Sequence, residues 1–152
     1  MHNNLHHGVG LLITDQEFSH FYVQIKDESY PYPEWRGACS FWGGAIEQQD
    51  SSPLIAVERE LKEELTDASF LLADIPKTKI DKYLVNCDSL ANPFWLTLFE
   101  VVVSDQQLKE VSEVEVLEGL GKLMHINELL ECNWIWEMDF VFNSYLKTKD
   151  IS

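Results

Sequence analysis

The segment 43–66, GGAIEQQDSSPLIAVERELKEELT, constrains this chain most, because it joins a Gly-Gly pair to an acidic amphipathic helix. At about 100° per residue, one side of this helix is apolar. The apolar residues are Leu54, Val57, Leu61 and Leu65. Three glutamates at i, i+3 and i+4 spacing, Glu60, Glu63 and Glu64, lie on the far side, so their carboxylates can converge. The sequence therefore predicts a helix whose apolar face packs and whose acidic face points outward.

The start of this helix also carries the expected signals. Pro53 suits the first turn, where its missing N–H removes no hydrogen bond. Ser51 or Ser52 can cap the exposed amides just before it. We therefore expect the helix to run from this point to about Leu65.

Three carboxylates this close repel one another, and a hard cation would relieve that repulsion. Mg²⁺ takes oxygen ligands and usually keeps waters and substrate phosphates around it. The pattern therefore favours a metal held against a phosphate. A solvated acidic helix face gives the same pattern, and on the helix alone this second interpretation stays open.

The Gly-Gly pair and Arg59 make the segment resemble the signature of the Nudix hydrolases, G-x5-E-x7-R-E-U-x-E-E-x-G-U, where U is a bulky apolar residue. The R-E-U-x-E-E core is matched by Arg59, Glu60, Leu61, Glu63 and Glu64. The loop departs from the signature, because the spacing from Gly44 to Arg59 is one residue too long and Asp50 stands for the first Glu. Thr66 also replaces the glycine near the helix end.

The resemblance implies an α/β fold, a Nudix-type α/β/α sandwich with a mixed β-sheet, in one domain over residues 1–152. It implies a Mg²⁺-dependent hydrolase, with Mn²⁺ as an alternative metal, that cleaves the diphosphate linkage of a nucleoside diphosphate joined to another group. The implied partner is a small phosphorylated substrate, a nucleotide derivative. The departures at Asp50 and Thr66 keep another interpretation open, a Nudix-fold nucleotide-binding or regulatory module without turnover.

The resemblance also implies roles for single residues. Glu60, Glu63 and Glu64, with the Gly43 carbonyl, are the expected metal ligands. Glu63 is the expected helper of the attacking water, and Arg59 is expected to orient the carboxylates through charge-assisted hydrogen bonds.

Many Nudix enzymes place a general base on a later loop. Of Glu113, Glu115 and Glu118 in this chain, we prefer Glu118, which precedes Gly119. The expected catalytic residues are then Glu63, Glu60, Arg59 and Glu118. A solvated acidic loop is the alternative for all three candidates of the later loop.

Specificity in the family lies outside the signature, and here aromatic residues are the candidates. The expected substrate contacts are Tyr32, Trp35, Trp42 and Gly44, with Tyr30 and Trp95 as further rings that could stack on a nucleobase. Packing in the core or on the surface is the alternative for each ring.

The net charge of −15, from 26 acidic and 11 basic residues, disfavours a nucleic-acid polymer as partner. A small nucleotide that arrives with its own Mg²⁺ is still acceptable, because the metal reverses the local charge. Neither a homodimer nor a monomer is favoured by the sequence.

The remaining composition indicates a protein that neither enters a membrane nor is exported. No apolar run approaches the roughly 20 residues that span a bilayer. Residues 1–7 lack the basic and apolar regions of a signal peptide, which favours the cytoplasm. Three widely spaced cysteines, Cys39, Cys87 and Cys132, indicate reduced thiols rather than a disulfide framework.

Alternation and apolar runs predict the other elements. We expect strands at 8–14, 20–26, 38–42, 70–73, 80–85, 94–103 and 122–125. We expect some helix within 104–118, a short helix that begins after Asn127 as its N-cap, and a closing helix over 133–146.

Overall fold

A computed structural model describes residues 5–151 of the chain, so most of the N-terminal segment considered above lies outside the described residues. Seven strands in the described part form one mixed sheet. They are β1 (His7–Asp15), β2 (His20–Ile25), β3 (Cys39–Ser40), β4 (Trp42–Ala45), β5 (Thr78–Val85), β6 (Phe94–Val103) and β7 (Leu120–His125).

Strand β1 lies at the centre of this sheet and pairs with three neighbours. Along one edge it runs parallel to β6, which is antiparallel to β5. Its other edge is shared, because β4 pairs with residues 8–11 and β2 pairs with residues 13–14, both antiparallel. Strand β2 in turn pairs with β3 and β7. The Gly-Gly pair therefore lies inside β4, next to the start of β1.

Helices cover both faces of the sheet, as expected for an α/β/α sandwich. The helices are α1 (Pro53–Glu64), α2 (Thr66–Leu71), α3 (Asp105–Ser112), α4 (Ile126–Leu130) and α5 (Asp139–Thr148). One apolar core joins α1, α2 and α3 to one face, through residues such as Val57, Ala68 and Leu108. The second core joins α4 and α5 to the other face, through residues such as Leu129 and Phe142.

Helix α1 begins and ends as its sequence predicts. The Ser52 hydroxyl accepts a hydrogen bond from the Ile55 N–H at 3.2 Å, and Pro53 occupies the first turn. At the other end, the hydroxyl of Thr66 donates to the Lys62 carbonyl at 2.7 Å. The residue that departs from the signature thus satisfies one of the free carbonyls of the last turn.

The buried face of α1 differs from the prediction. It consists of Ala56, Val57, Leu61 and Glu64, while Leu54 is 37% exposed. Glu64 is only 1% exposed, so the expectation that all three glutamates point outward is wrong for this residue. The helix turns one carboxylate of its acidic face towards the sheet.

Three predictions of local structure are wrong. Residues 70–73 form no strand, because Leu65, Ala68 and Leu72 are buried at helical spacing and Phe70 is 67% exposed in α2. The N-cap of α4 is His125 rather than Asn127. The closing helix is shorter than predicted, because the segment Ile135–Glu137 forms a separate 3-10 turn before α5.

The prediction of reduced thiols is also wrong for two cysteines. Cys39, at the start of β3, forms a disulfide with Cys132, in the loop after α4. Their separation of 93 residues concealed this pair in the sequence, and only the sheet and the α4 loop bring them together. Cys87 is a free and buried thiol. No helix among residues 5–151 is long and apolar enough to cross a bilayer.

Candidate functional site

The Gly-Gly pair lets α1 approach β4 closely. Gly43 has φ of +144°, and a Cβ there would overlap the Val9 carbonyl of β1. A Cβ on Gly44 would lie 2.6 Å from a carboxylate oxygen of Glu60. A side chain at Gly43 would therefore push β4 away from β1, and one at Gly44 would displace the Glu60 carboxylate.

Glu64 is the buried carboxylate at this contact. Its Oε1 accepts from the Gly43 N–H at 3.0 Å, and its Oε2 accepts from the side-chain amide of Gln24 at 2.8 Å. Burial, with the nearby charges of Glu118 and Glu60, raises the pKa of Glu64 to about 8. The charged form of this side chain is therefore poorly compensated by the protein alone.

Arg59 organises the loop half of the segment. Its guanidinium donates to both oxygens of Asp50, at 3.0 Å from Nε and 2.9 Å from Nη2, and to the Ala45 carbonyl at 2.9 Å. The contact is a paired, charge-assisted one. Although Asp50 is one carbon shorter than Glu and follows a lengthened spacing, it still reaches Arg59.

Glu60 and Glu63 lie on the other side of the same guanidinium. Arg59 Nη1 is 3.0 Å from Glu60 Oε1 and 3.3 Å from both oxygens of Glu63. Burial raises the pKa of Glu60, although Arg59 opposes this effect. Within residues 5–151, no three His, Cys, Asp or Glu side chains are arranged to hold a metal as they stand.

Two residues at the end of β2, Gln24 and the adjoining Lys26, were not identified from the sequence as part of this site. The fully buried Gln24 donates from one amide nitrogen to Glu64 and to the Glu118 carbonyl, at 2.8 and 2.9 Å. Its oxygen accepts from Lys26 Nζ at 2.8 Å. Burial lowers the pKa of Lys26, and the charges of Glu64 and Glu118 oppose this. Strand alternation indicated only a polar face of β2, because the sequence does not show what covers that face.

A cleft of about 1020 Å³ opens beside these groups. We call one part its acidic end, where Gly43, Gly44, Glu60, Glu63 and Glu118 line the wall. We call the aromatic and apolar lining residues its aromatic end, which consists of Tyr30, Leu90, Pro93, Phe94, Trp136 and Met138. The two ends adjoin, because a Cβ on Gly8 would lie 3.3 Å from the Gly44 carbonyl oxygen and 3.9 Å from the Phe94 ring. Lys26 also lines the cleft and lies 5.0 Å over the ring of Tyr30.

The residues predicted to contact substrate differ in whether they line the cleft. Gly44 lines it, whereas Tyr32 and Trp35 are not among its lining residues. Trp42 is buried in the core beneath α1, stacks on Tyr22 and donates to the Tyr22 carbonyl at 2.9 Å. The expectation that Trp42 contacts substrate is therefore wrong, because no face of its ring is open.

The three candidate bases of the later acidic loop also differ in whether they line the cleft. Glu118 lines the cleft, whereas Glu113 and Glu115 are exposed away from it. Gly119 has φ of +74°, and a Cβ there would lie 3.0 Å from the Ile25 carbonyl. The turn that follows Glu118 therefore packs tightly on β2.

The family model described as NUDIX domain matches residues 4–142. A search of curated proteins found no match. A mutT/nudix family protein from Listeria innocua is 17% identical, with a TM-score of 0.70 over 95% of this chain and 94% of that one.

Two further solved structures show the range of proteins with this fold. The Escherichia coli dihydroneopterin triphosphate pyrophosphohydrolase is 11% identical, with a TM-score of 0.68 over 93% of this chain and 95% of that one. The NUDIX domain of Shewanella oneidensis NrtR, solved with ADP ribose, is 12% identical, with a TM-score of 0.69 over 93% and 86%. At such identities the likeness concerns the fold. Because the NUDIX domain model matches most of the length of this chain, the chain belongs to the NUDIX domain family.

Proposed function

We propose that this protein is a Mg²⁺-dependent hydrolase, with Mn²⁺ as an alternative metal, that cleaves the diphosphate linkage of a nucleoside diphosphate joined to another group. The observation that carries the proposal is the contact of α1 with β4 at one end of a large cleft, where Glu64 accepts from Gly43 and Glu60 lies against Gly44. The family generally hydrolyses phosphoric anhydrides, which supports the same reaction class.

The acidic end fits a hard divalent cation by its chemistry. Its donors are carboxylate and carbonyl oxygens, which Mg²⁺ prefers. The raised pKa of Glu64 supports this fit, because a cation would favour the charged form that burial disfavours. The residues that would hold the metal are Glu60, Glu63, Glu64 and the Gly43 carbonyl. Glu63 is 57% exposed, so it can leave Arg59 for the metal at little cost.

When bound, such a metal neutralises charge on the diphosphate and lowers the pKa of a bound water. The protein supplies the rest of the reaction. Glu118, at the edge of the acidic end, is the proposed general base that takes the proton of the attacking water, with Glu63 as its helper. Arg59 keeps Glu60 oriented, and Lys26 offers a positive charge to the substrate phosphates.

A small substrate fits better than a polymer. The net charge of −15 repels a nucleic-acid backbone, whereas one nucleotide can enter the cleft with its metal. The cleft volume of about 1020 Å³ lies at the top of the range of roughly 300–1,000 Å³ for small-molecule sites. We therefore propose a substrate larger than pyrophosphate alone.

The test is release of phosphate or of a nucleoside monophosphate from a panel of nucleoside diphosphate derivatives, with and without Mg²⁺. We expect turnover only with the metal, and we expect Glu63→Gln or Glu64→Gln to lower it by about 10²–10⁴-fold. Glu58→Gln is the matched control, because Glu58 is an exposed residue of the same helix. A double variant of Glu63 and Glu64 that hydrolyses as well as the parent would show that the site is assigned wrongly.

The second candidate is a nucleotide-binding or regulatory module without turnover. It is favoured by one observation, that Arg59 engages both Glu60 and Glu63 and leaves no ready group of three metal-binding side chains among residues 5–151. Nucleotide binding without product release for any member of the panel would favour this candidate over the hydrolase.

A further inference from the structure

We propose that Trp136 is the platform on which the nucleobase of the substrate stacks, at the aromatic end of the cleft. The inference rests on the proposed function, because it places the nucleoside part of a substrate whose diphosphate lies at the acidic end. Trp136 was not among the substrate contacts expected from the sequence. It gives the cleft a specificity-determining residue remote in sequence from the acidic helix.

Trp136 is placed to contact the same ligand as the acidic end. It lines the same cleft as Glu60 and Glu118, so one ligand can contact the acidic end and the indole together. Its neighbours in the aromatic end that lie outside its own turn are Tyr30, residues of the loop before β6, and Phe94 at the start of β6. Aromatic and apolar walls with a few polar groups at one end are the usual composition of a small-molecule site.

The backbone at Trp136 and Glu137 has an unusual conformation, with positive φ. Trp136 has φ of 50° and ψ of 34°, and Glu137 has φ of 56°. This left-handed region is unfavourable for bulky side chains, and residues held in it cluster at functional sites. The flanking residues hold it, because buried Trp134 donates from its indole to Leu129 and buried Met138 donates from its N–H to Ile135, at 3.1 and 3.0 Å.

Trp136 and Phe94 form an edge-to-face pair of rings. The rings of Trp136 and Phe94 are 5.4 Å apart and nearly perpendicular, with 77° between their planes. In such a contact the edge of one ring meets a face of the other. Phe94 therefore leaves at least one face of the indole uncovered, whichever ring presents its edge. Trp136 also packs against the core, but it is only half-buried and lines the cleft, so a planar heterocycle in the cleft can stack on the open part of the ring.

Charge is distributed unevenly over the lining of the cleft. None of the cleft-lining residues in 90–94, 136 and 138 is ionisable, whereas the acidic end holds three carboxylates. Lys26, beside Tyr30, is the only Lys or Arg among the cleft-lining residues of the described chain. Phosphates are therefore favoured near Lys26 and the metal, and an uncharged ring is favoured at Trp136.

The test is equilibrium binding of two probes that cannot be hydrolysed, α,β-methylene-ADP and methylene diphosphonate, each with Mg²⁺. Both carry the bridged phosphorus pair, but only the first carries a base. We expect Trp136→Ala to weaken binding of α,β-methylene-ADP by about tenfold or more, as for base–aromatic stacking elsewhere. Binding of methylene diphosphonate should stay within about twofold of the parent, because that probe carries no base to stack on the indole.

Intrinsic fluorescence gives a second measurement that does not depend on the alanine variant folding. We expect α,β-methylene-ADP to quench the parent and the Trp95→Phe variant, and to lose most of this quenching in Trp136→Phe. Trp95 is the matched control, because it alternates with cleft-lining Phe94 and Leu96 along β6 and lies under Lys82.

Two results would overturn the proposal. One is unchanged affinity of Trp136→Ala for α,β-methylene-ADP, or unchanged quenching in Trp136→Phe. The other is a parent protein that binds α,β-methylene-ADP no more tightly than methylene diphosphonate. Neither result depends on turnover. A protein that binds the base through Trp136 but hydrolyses nothing contradicts the proposed hydrolase alone, and active protein with unchanged Trp136 variants contradicts the stacking platform alone.

Discussion

The two ends of the cleft are built in different ways. The acidic end comes mainly from one segment of 22 residues, Gly43 to Glu64, in which a strand, a loop and a helix follow one another. The aromatic end is assembled from Tyr30, the loop before β6, and the turn before α5. A local pattern therefore reveals the first end, whereas only the folded chain brings the second together.

This difference explains which parts of the site could be predicted. Arg59, Glu60, Glu63 and Glu64 follow helical spacing, and a helix converts that spacing directly into a shared face. Gly43 and Gly44 precede the helix in the chain and contact it in the structure. The approach of Glu118 could be suspected only from the family, because its turn packs on β2 through long-range contacts.

Other residues could not be placed from local pattern alone. Gln24 lies on the polar side of an alternating strand, and such a residue is exposed unless something covers that side of the sheet. Here α1 and the turn at Glu118 cover it. Trp136 lies in a segment with helical periodicity, but a 3-10 turn with positive φ directs it into the cleft instead. Cys39 and Cys132 are joined only by the tertiary fold.

Outside the metal-binding glutamates, the largest effect is expected from the loop that departs from the signature. Asp50→Asn should lower turnover by about 10–100-fold, because it weakens the charged pair that orients Arg59 behind the metal-binding glutamates. Measured kcat and Mn²⁺ affinity check this prediction. Asp50→Glu is the companion variant, and we expect it to lose activity as well, because the lengthened loop already brings the shorter side chain into contact.

Full activity of Asp50→Asn would show that the paired contact with Arg59 is not needed. Greater activity of Asp50→Glu than of the parent would show that the altered loop is a defect rather than a compensated change.

The second effect is the pH dependence of metal binding. The pKa of Glu64 is about 8 in the metal-free protein, and its proton must leave when a metal binds. Affinity for Mn²⁺ should therefore rise about tenfold per pH unit below 8 and level off above it. Titrations on either side of pH 8 check this prediction, and an affinity that is the same throughout would contradict it.

The raised pKa of Glu64 also affects the stability of the metal-free protein. Because the folded pKa of Glu64 is raised above an unfolded value of about 4.3, this group favours folding most at acidic pH. That contribution is lost as pH rises through about 8. Urea unfolding without metal should show that the free energy of unfolding of the parent falls as the pH rises towards 8. The fall should be smaller in Glu64→Gln.

A smaller effect is expected at Lys26, which lies between the two ends. Lys26→Met should raise the KM for a nucleotide substrate by about tenfold, because it removes a charge-assisted contact with phosphate. Comparison of KM with kcat checks this prediction, and we expect kcat to change less. A loss confined to kcat would place Lys26 with the catalytic carboxylates instead.

The smallest effect is expected from the disulfide that joins the loop after α4 to β3. Cys132→Ser should raise the KM for nucleotide substrates only a few-fold, because the Cys39 N–H still donates to the Asn133 carbonyl at 2.8 Å and Trp134 is still buried. Steady-state kinetics of this variant, with Cys87→Ser as control, measure the effect. A large fall in kcat would show that the aromatic end also positions the catalytic groups of the acidic end, and does not only bind the nucleobase.

The most direct test of the central claim is binding of Mn²⁺, followed by electron paramagnetic resonance, to the parent, Glu64→Gln and Glu58→Gln. The two variants make the same side-chain replacement in the same helix, one at the buried carboxylate beside the acidic end of the cleft and one on the exposed surface. We predict that the parent and Glu58→Gln bind Mn²⁺ at millimolar concentration or below, and that Glu64→Gln binds at least about tenfold more weakly. Absence of binding at millimolar Mn²⁺, or equal binding by Glu64→Gln and the parent, would contradict a metal site at the acidic end.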